Sequence, residues 1–164
     1  MSGASTRLGN SSDIEAAVSV WKSSDTARRG GKAAPPGHEK SARSHLKNPD
    51  SFLLIAEGAG GDIVGVACGT PGLADDGAGP KVDGLCHVGM VFVAPGRWGE
   101  GIGNMLVDAT LGEARSRGYK EAQLWTHKDN ERAKRLYENY GFERSGREMK
   151  DDLGEWIFHY ERDL

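Results

Sequence analysis

The chain has 164 residues, of which 37% are hydrophobic and 27% are charged, and its formal net charge is -3. This size and balance predict one globular domain, residues 1–164, that is long enough to bury a core. A slightly acidic chain without a long apolar run gives no support for binding to nucleic acid or to a membrane.

The cysteines and the first residues predict a cytoplasmic protein that needs no metal. Cys68 and Cys86 lie in apolar stretches and form neither a zinc-type spacing nor a CxxC pair. The opening residues, MSGASTRLGNSSD, lack the apolar core of a signal peptide. We therefore expect a reducing compartment, in which both thiols are small buried residues.

The first part of the chain predicts two helices after a short strand near residues 6–8. Residues 11–13 are a helix-start signal, and apolar residues at helical spacing follow them as far as Trp21. From 22 to 37 the pattern dissolves into glycines and prolines, which predicts a flexible loop. A second short helix is expected over residues 38–46.

Two apolar runs, 51–57 and 62–68, flank a glycine-rich turn and predict a β-hairpin. The next stretch, 71–84, is rich in Gly, Pro and Asp and predicts a long loop that is either functional or disordered. Residues 85–93 (LCHVGMVFV) are strongly apolar and predict a central strand.

The second half alternates helices and strands. Helical spacing runs from 104 to 119 and again from 130 to 140, with a strand predicted between them over 121–126. Two final strands are expected at 142–149 and 156–161. This order of elements predicts an α/β domain with a mixed sheet.

The stretch VFVAPGRWGEGIG, residues 91–103, has chemistry of its own. It predicts a strand that passes through a glycine-rich turn into the start of a helix. A helix N-terminus presents unpaired N–H groups and a positive dipole end, which together favour phosphate. Gly99, Gly101 and Gly103 remove side chains that would keep an anion away from the backbone. The sequence therefore predicts a phosphate-binding turn.

Three motifs in fixed order give this chain its family resemblance. They are V-x-P at 93–95, G-x-G at 101–103, and N-x-x-A-x-x-x-Y-x-x-x-G-F beginning at Asn130. From about residue 85 to 142 the chain resembles the GNAT superfamily of N-acetyltransferases. The resemblance implies an α/β GNAT fold, with a central, mixed, mostly antiparallel sheet that is flanked by helices and splayed between its fourth and fifth strands.

The same resemblance implies that acetyl-CoA is the co-substrate and that 85–142 is its binding core. The turn would bind the pyrophosphate through backbone N–H groups, and the strand edge would bind the pantetheine arm. Tyr137 would protonate the departing thiolate. The residues implied in cofactor binding are Val91, Phe92, Val93, Gly99, Glu100, Gly101, Ile102, Gly103, Asn104 and Asn130.

Two positions depart from the family pattern. Trp98 stands where the phosphate loop usually begins with Gln or Arg, and we expect Arg97 to supply the cation instead. Glu100 stands where a basic residue is common, and its carboxylate is unfavourable beside a pyrophosphate unless it points to solvent.

The general base is left open among several candidates. Family members use a glutamate or a water chain, but one of the usual glutamate positions is Trp125 here. The other corresponds to His87, whose ordinary pKa of about 6.5 suits a base near neutrality. Water, His127 and Glu155 remain alternatives.

The resemblance implies an N-acetyltransferase acting on a primary amine, with a small-molecule acceptor favoured over a protein N-terminus or lysine. A homodimer is left open. A non-catalytic CoA-binding module is the alternative from another class, but Asn130 and Tyr137 in register disfavour it. A dinucleotide-binding domain is also disfavoured, because Asn104 stands where that fingerprint needs its third glycine.

Overall fold

A computed structural model describes residues 3–164 of the chain. Helices and strands follow one another along the chain, and short 3-10 helices of three residues lie between some of them. The four α-helices are α1 (Ile14–Arg28), α2 (Pro36–Lys47), α3 (Ile102–Ser116) and α4 (Glu131–Asn139). The eight strands are β1 (Ser5–Leu8), β2 (Phe52–Glu57), β3 (Ile63–Leu73), β4 (Lys81–Val88), β5 (Phe92–Val93), β6 (Glu121–His127), β7 (Glu143–Lys150) and β8 (Trp156–Asp163).

The strands form one open sheet in the order β1-β2-β3-β4-β6-β8-β7, with β5 paired to β3. The β4–β6 pair is parallel and the other pairs are antiparallel. This arrangement confirms the predicted fold class, a mixed and mostly antiparallel sheet flanked by helices. Within residues 3–164, no helix is long and apolar enough to cross a membrane.

The strand predicted over 85–93 is interrupted by a β-bulge. Val88 pairs with Gly69 and Phe92 pairs with Val66, so residues 89–91 face only the two residues between those partners. An extra residue in one strand bends it and disrupts the ladder locally. The prediction of a continuous strand was therefore wrong, and the chain turns away from the centre of the sheet after Val88.

The sheet splays apart immediately beyond this point. Leu85, Cys86 and His87 are the residues of β4 that pair with β6. Strand β6 continues to His127 in full register with β8, but its other edge has no strand partner among residues 3–164 after Gln123. A wedge-shaped gap therefore separates β5 from the second half of β6.

Two apolar cores cover the two faces of the sheet. One lies beneath α3 and contains Leu106 and Leu111, together with Tyr137 and Phe142 from the α4 region. The other lies beneath α1 and α2. Each helix has apolar residues at helical spacing, and this side of the helix packs onto the sheet. Burial of these side chains is the main stabilising contribution. The gap between β5 and β6 is thus bordered by helices on both faces of the sheet.

Two segments that were predicted to be loops form mostly helix or strand in the structure. Helix α1 continues through residues 22–28, where Asp25 accepts a hydrogen bond from Arg29 at 2.8 Å. Strands β3 and β4 extend into the predicted loop 71–84, and Leu73 pairs with Lys81. Pairing with a neighbouring strand outweighs the low strand propensity of that Gly- and Pro-rich segment.

Candidate active site

A cavity of about 840 Å³ lies beside the glycine turn, between β5, α3, α4 and the end of α1. It brings together nearly all of the residues predicted to bind the cofactor, along with Tyr137. Glu100 and His87 are the two predicted residues that do not line it. The lining residues among those predicted are Val91, Phe92, Val93, Gly99, Gly101, Ile102, Gly103, Asn104, Asn130 and Tyr137.

The turn before α3 has the geometry of an anion site. Gly99 and Gly101 have φ values of +86° and +82°, which L side chains rarely adopt, so glycine is required by the backbone itself. The first helical hydrogen bond runs from Met105 N–H to Gly101 C=O at 3.1 Å, and no side chain among residues 3–164 caps the helix. The N–H groups of residues 102–104 therefore have no acceptor within the helix. They lie at its N-terminus, which is the positive end of the helix dipole and borders the cavity.

The bulged strand presents a free backbone edge to the same cavity. Ala94 N–H donates to Val64 C=O at 2.8 Å, and Phe92 pairs with Val66. Because hydrogen bonding alternates along an antiparallel pair, Phe92 points its backbone at β3 while Val91 and Val93 point theirs at the gap. Phe92, predicted to act through its backbone, lines the cavity, but its N–H and C=O groups are directed at β3.

Trp98 occupies the position at which a cation was expected, and Arg132 lies against its ring. The Trp98 indole N–H donates to the Val93 carbonyl oxygen at 2.8 Å, and the Arg132 guanidinium lies 4.8 Å from the centre of the indole ring. Arg132 and Arg135, both on α4, line the cavity. They were missed from the sequence, where the cluster of basic residues after Asn130 was their only signal.

Glu100 is neutralised by its own neighbour. The Arg97 Nε lies 3.0 Å from both carboxylate oxygens of Glu100. This ion pair reduces the repulsion that Glu100 would exert on a phosphate in the turn. It also means that Arg97, expected from the sequence to serve the phosphate, is engaged by a carboxylate.

Asn130 caps α4 and keeps its donors available. Its Oδ1 accepts a hydrogen bond from Ala133 N–H at 3.1 Å, which is normal N-cap geometry. The Asn130 side-chain amide then has two N–H groups with no acceptor within residues 3–164. The side chain is therefore held in place by one end and offers hydrogen-bond donors to the cavity with the other.

Tyr137 is held in the cavity wall as a neutral phenol. It is only 8% exposed, and its ring packs edge-on against Phe142 at 6.0 Å. Burial raises the pKa of Tyr137 well above its usual range, since the phenolate is poorly solvated there. The hydroxyl thus keeps its proton at neutral pH, as a general acid must.

His87 lies at the apex of the gap, away from the cavity. Gln123 accepts a hydrogen bond from His159 Nε2 at 2.9 Å, and its amide nitrogen lies 3.4 Å from His87 Nδ1. Burial, together with His45 and His159 nearby, lowers the pKa of His87 to about 4. His87 is consequently neutral near pH 7, and its Nδ1 lone pair is directed at an amide donor.

The other predicted bases have partners of their own. His127 Nε2 is 3.0 Å from Asp151 and 3.4 Å from Glu155, and Glu155 also accepts a hydrogen bond from Arg29 at 3.3 Å. The side-chain oxygens and nitrogen of His127, Asp151 and Glu155 lie within 4.8 Å of one another, but Arg29 already balances this charge. The expected absence of a metal stays a prediction.

Sequence reasoning missed His45, which faces the bulge from α2. Its Nε2 is buried and has no hydrogen-bond partner within the described chain, and a Cβ on Gly89 would come within 2.7 Å of it. Burial lowers the pKa of His45, so the ring is neutral at pH 7. Nothing in the sequence distinguishes this histidine from an ordinary helix residue.

The chain belongs to the GNAT family of acetyltransferases. The model of that family, described as Acetyltransferase (GNAT) family, matches residues 18–142. The match includes the turn, Asn130 and Tyr137, and confirms the resemblance predicted from the three motifs.

A curated mouse protein (Mus musculus) named "Probable N-acetyltransferase family 8 member 5" is 33% identical over 118 residues, which are 72% of this chain. The aligned region is 49% of the mouse protein, so the chain spans about half the length of that relative.

Solved structures of the family share the fold at low sequence identity. A ribosomal-protein-S18-alanine N-acetyltransferase from Escherichia coli superposes with a TM-score of 0.75 at 16% identity, covering 98% of this chain and 94% of that one. A GCN5-related N-acetyltransferase from Kribbella flavida gives 0.74 at 19% identity, with coverage of 99% and 98%. The PaiA N-acetyltransferase from Thermoplasma acidophilum, solved in complex with coenzyme A, gives 0.67 at 16% identity, with coverage of 98% and 99%.

Proposed function

We propose that this protein transfers the acetyl group of acetyl-CoA to a primary amine of a small molecule. One observation carries the proposal: the unpaired N–H groups at the start of α3, the free edge of Val91 and Val93, and the neutral Tyr137 phenol all line a single cavity. These groups match, in order, a pyrophosphate, a pantetheine amide chain and a thioester sulfur. The complex of a family member with coenzyme A agrees with this reading.

In the proposed reaction the neutral amine attacks the acetyl carbonyl carbon within a ternary complex. A C–N bond forms as the C–S bond breaks, and the electron pair leaves on sulfur as a thiolate. Tyr137 gives its proton to that thiolate, and the backbone N–H groups at the free edge stabilise the transient oxyanion. Since the phenol regains a proton from solvent, the net products are the acetamide and CoA with a free thiol.

We propose that the amine proton leaves to solvent and not to His87. The Nδ1 of His87 faces the Gln123 amide, and a histidine with a pKa of about 4 is a weak base at neutrality. Glu155 is held in an ion pair with Arg29, and the His127 Nε2 contacts Asp151 and Glu155. His87→Gln should therefore keep turnover near pH 7 within about threefold; a loss of the ~100-fold expected for a general base would return the role to His87.

The decisive experiment measures CoA thiol release from acetyl-CoA with a panel of small primary amines. Calorimetry with CoA tests cofactor binding independently of the acceptor. Peptides with free N-termini and lysine side chains form a separate arm, and a preference for them would replace the small-molecule acceptor. CoA binding without thiol release from any arm would favour a non-catalytic CoA-binding module.

A further inference from the structure

Arg28, the last residue of α1, lines the cavity with its hydrogen-bond donors unused. Its side chain is 21% exposed, and its Nη2 is buried without a hydrogen-bond partner within residues 3–164. The two carboxylates nearest to the guanidinium are Glu155 at 3.6 Å and Asp25 at 3.9 Å, both beyond hydrogen-bond length. A buried N–H group without an acceptor, such as that of Nη2, is costly.

The neighbouring Arg29 already holds both of those carboxylates. Its Nε lies 2.8 Å from Asp25, and its Nη1 lies 3.3 Å from Glu155. Arg29 therefore fastens the end of α1 to the turn between β7 and β8. Arg28 lies farther from both carboxylates, although it is adjacent in sequence and similarly buried.

Arg28 belongs to the helical layer opposite the phosphate turn. Helix α1 covers the sheet face that α3 does not cover, and its C-terminal end reaches the β7–β8 turn across the gap. The proposed pyrophosphate position lies at the start of α3, on the other layer. An acceptor that meets the thioester from the α1 side would therefore encounter the Arg28 guanidinium.

We infer that the acceptor is an amine that also bears a carboxylate, as in an α-amino acid, and that Arg28 binds this carboxylate. This inference rests on the proposed acetyl transfer. The guanidinium fork matches a carboxylate through two parallel hydrogen bonds. Asp25 and Glu155 beside it favour a zwitterion over a strongly anionic ligand such as a phosphate, because they repel net negative charge.

The test compares amino acids with the amines obtained by removing the carboxylate. The pairs are L-tyrosine with tyramine, L-histidine with histamine and L-ornithine with putrescine. Thiol release from acetyl-CoA should give a kcat/KM at least about tenfold higher for an acid than for its partner amine, which is the effect of one charge-assisted hydrogen bond.

The matched variants are Arg28→Gln and Arg29→Gln. Arg28→Gln should lower kcat/KM for the preferred acids by about 10- to 100-fold, mainly through KM, and should leave the amines and CoA affinity unchanged. Arg28→Lys, which keeps the charge but not the fork, should recover only part of the loss. Arg29→Gln should lower the melting temperature and affect acids and amines equally.

Three outcomes would overturn the inference. They are equal turnover of acids and amines by the unaltered protein, an equal loss for both in Arg28→Gln, or a loss of CoA affinity in that variant, which would assign the guanidinium to the cofactor. If calorimetry detects no CoA binding by the unaltered protein, it is the acetyl transfer that fails. If CoA binds and amines are acetylated without preference for acids, only the carboxylate assignment fails.

Discussion

The indole N–H of Trp98 donates to the carbonyl oxygen of Val93 at 2.8 Å, which ties the phosphate turn to the strand edge. A carbonyl oxygen has two lone pairs, so Val93 can accept from Trp98 and still accept from a ligand amide. Trp98 is 38% exposed, which limits its contribution to the core. Its hydrogen bond therefore positions the two parts of the site relative to each other before any ligand arrives.

Trp98→Phe should raise the KM for acetyl-CoA by about two- to tenfold, the effect of one net hydrogen bond, and leave kcat nearly unchanged. Steady-state kinetics at saturating amine would measure this. Trp156→Phe is the matched control, since Trp156 is 43% exposed and does not line the cavity. An unchanged KM in Trp98→Phe would mean that the turn is held without this bond.

The ion pair between Arg97 and Glu100 predicts opposite effects for its two members. Glu100→Gln removes a negative charge beside the proposed pyrophosphate and should lower the KM for acetyl-CoA by about two- to fivefold. Arg97→Gln leaves that charge unbalanced and should raise the KM for acetyl-CoA. Both effects should shrink as salt increases, because partly exposed charges are screened.

Glu113→Gln controls for the general loss of a carboxylate on the same helix. Glu113 pairs with Arg117 at 3.1 Å near the other end of α3. Glu113→Gln should leave the KM for acetyl-CoA unaffected. Changes of the same sign in Glu100→Gln and Arg97→Gln would contradict a local electrostatic effect on the cofactor.

Tyr137→Phe should reduce kcat by about 100-fold or more while acetyl-CoA affinity stays the same, because general-acid catalysis contributes that much and the ring packing survives. Calorimetry with CoA and pre-steady-state thiol release would separate the two quantities. Tyr140→Phe, at the residue that follows α4 and outside the cavity lining, is the control. Normal turnover in Tyr137→Phe would remove the phenol from the mechanism.

The buried histidines predict loss of stability in mild acid. The pKa of His87 falls from about 6.5 in the unfolded chain to about 4 in the folded one. Between those pH values the unfolded chain binds more protons, so the free energy of unfolding should decrease as the pH falls from about 6.5 towards 4. Above pH 6.5 this group should contribute no pH dependence.

His87→Gln should flatten part of that decline, measured by urea unfolding at several pH values. It removes the titrating ring but keeps a hydrogen-bond acceptor for Gln123. His45 on α2 and His159 on β8 also have lowered pKa values, so some slope should remain. An identical pH profile in the variant would show that His87 titrates normally in the folded protein.

The parts of the site that follow from local chemistry were predictable from the sequence. Gly99 and Gly101 take positive φ values that few other residues tolerate, so their placement marks the turn. Ala133 and Tyr137 lie on one face of a short helix by spacing alone. Such features need no information from distant parts of the chain.

The features that depend on distant partners were not predictable. The bulge at 89–91 lies within an apolar run whose hydrophobicity does not change, and only its pairing with β3 reveals the extra residue. Residues 22–28 look like a loop, yet Glu155 on the β7–β8 turn helps to hold them in α1 through Arg29. Arg28 lies at the end of the same helical segment.

The short ladder between β4 and β6 has a mechanical consequence. Leu85, Cys86 and His87 join two halves of the sheet that are otherwise connected through helices and loops in the described chain. Such a joint resists sliding, since sliding would break every bond of the ladder. The relative position of the two sides of the cavity therefore depends on these few backbone hydrogen bonds.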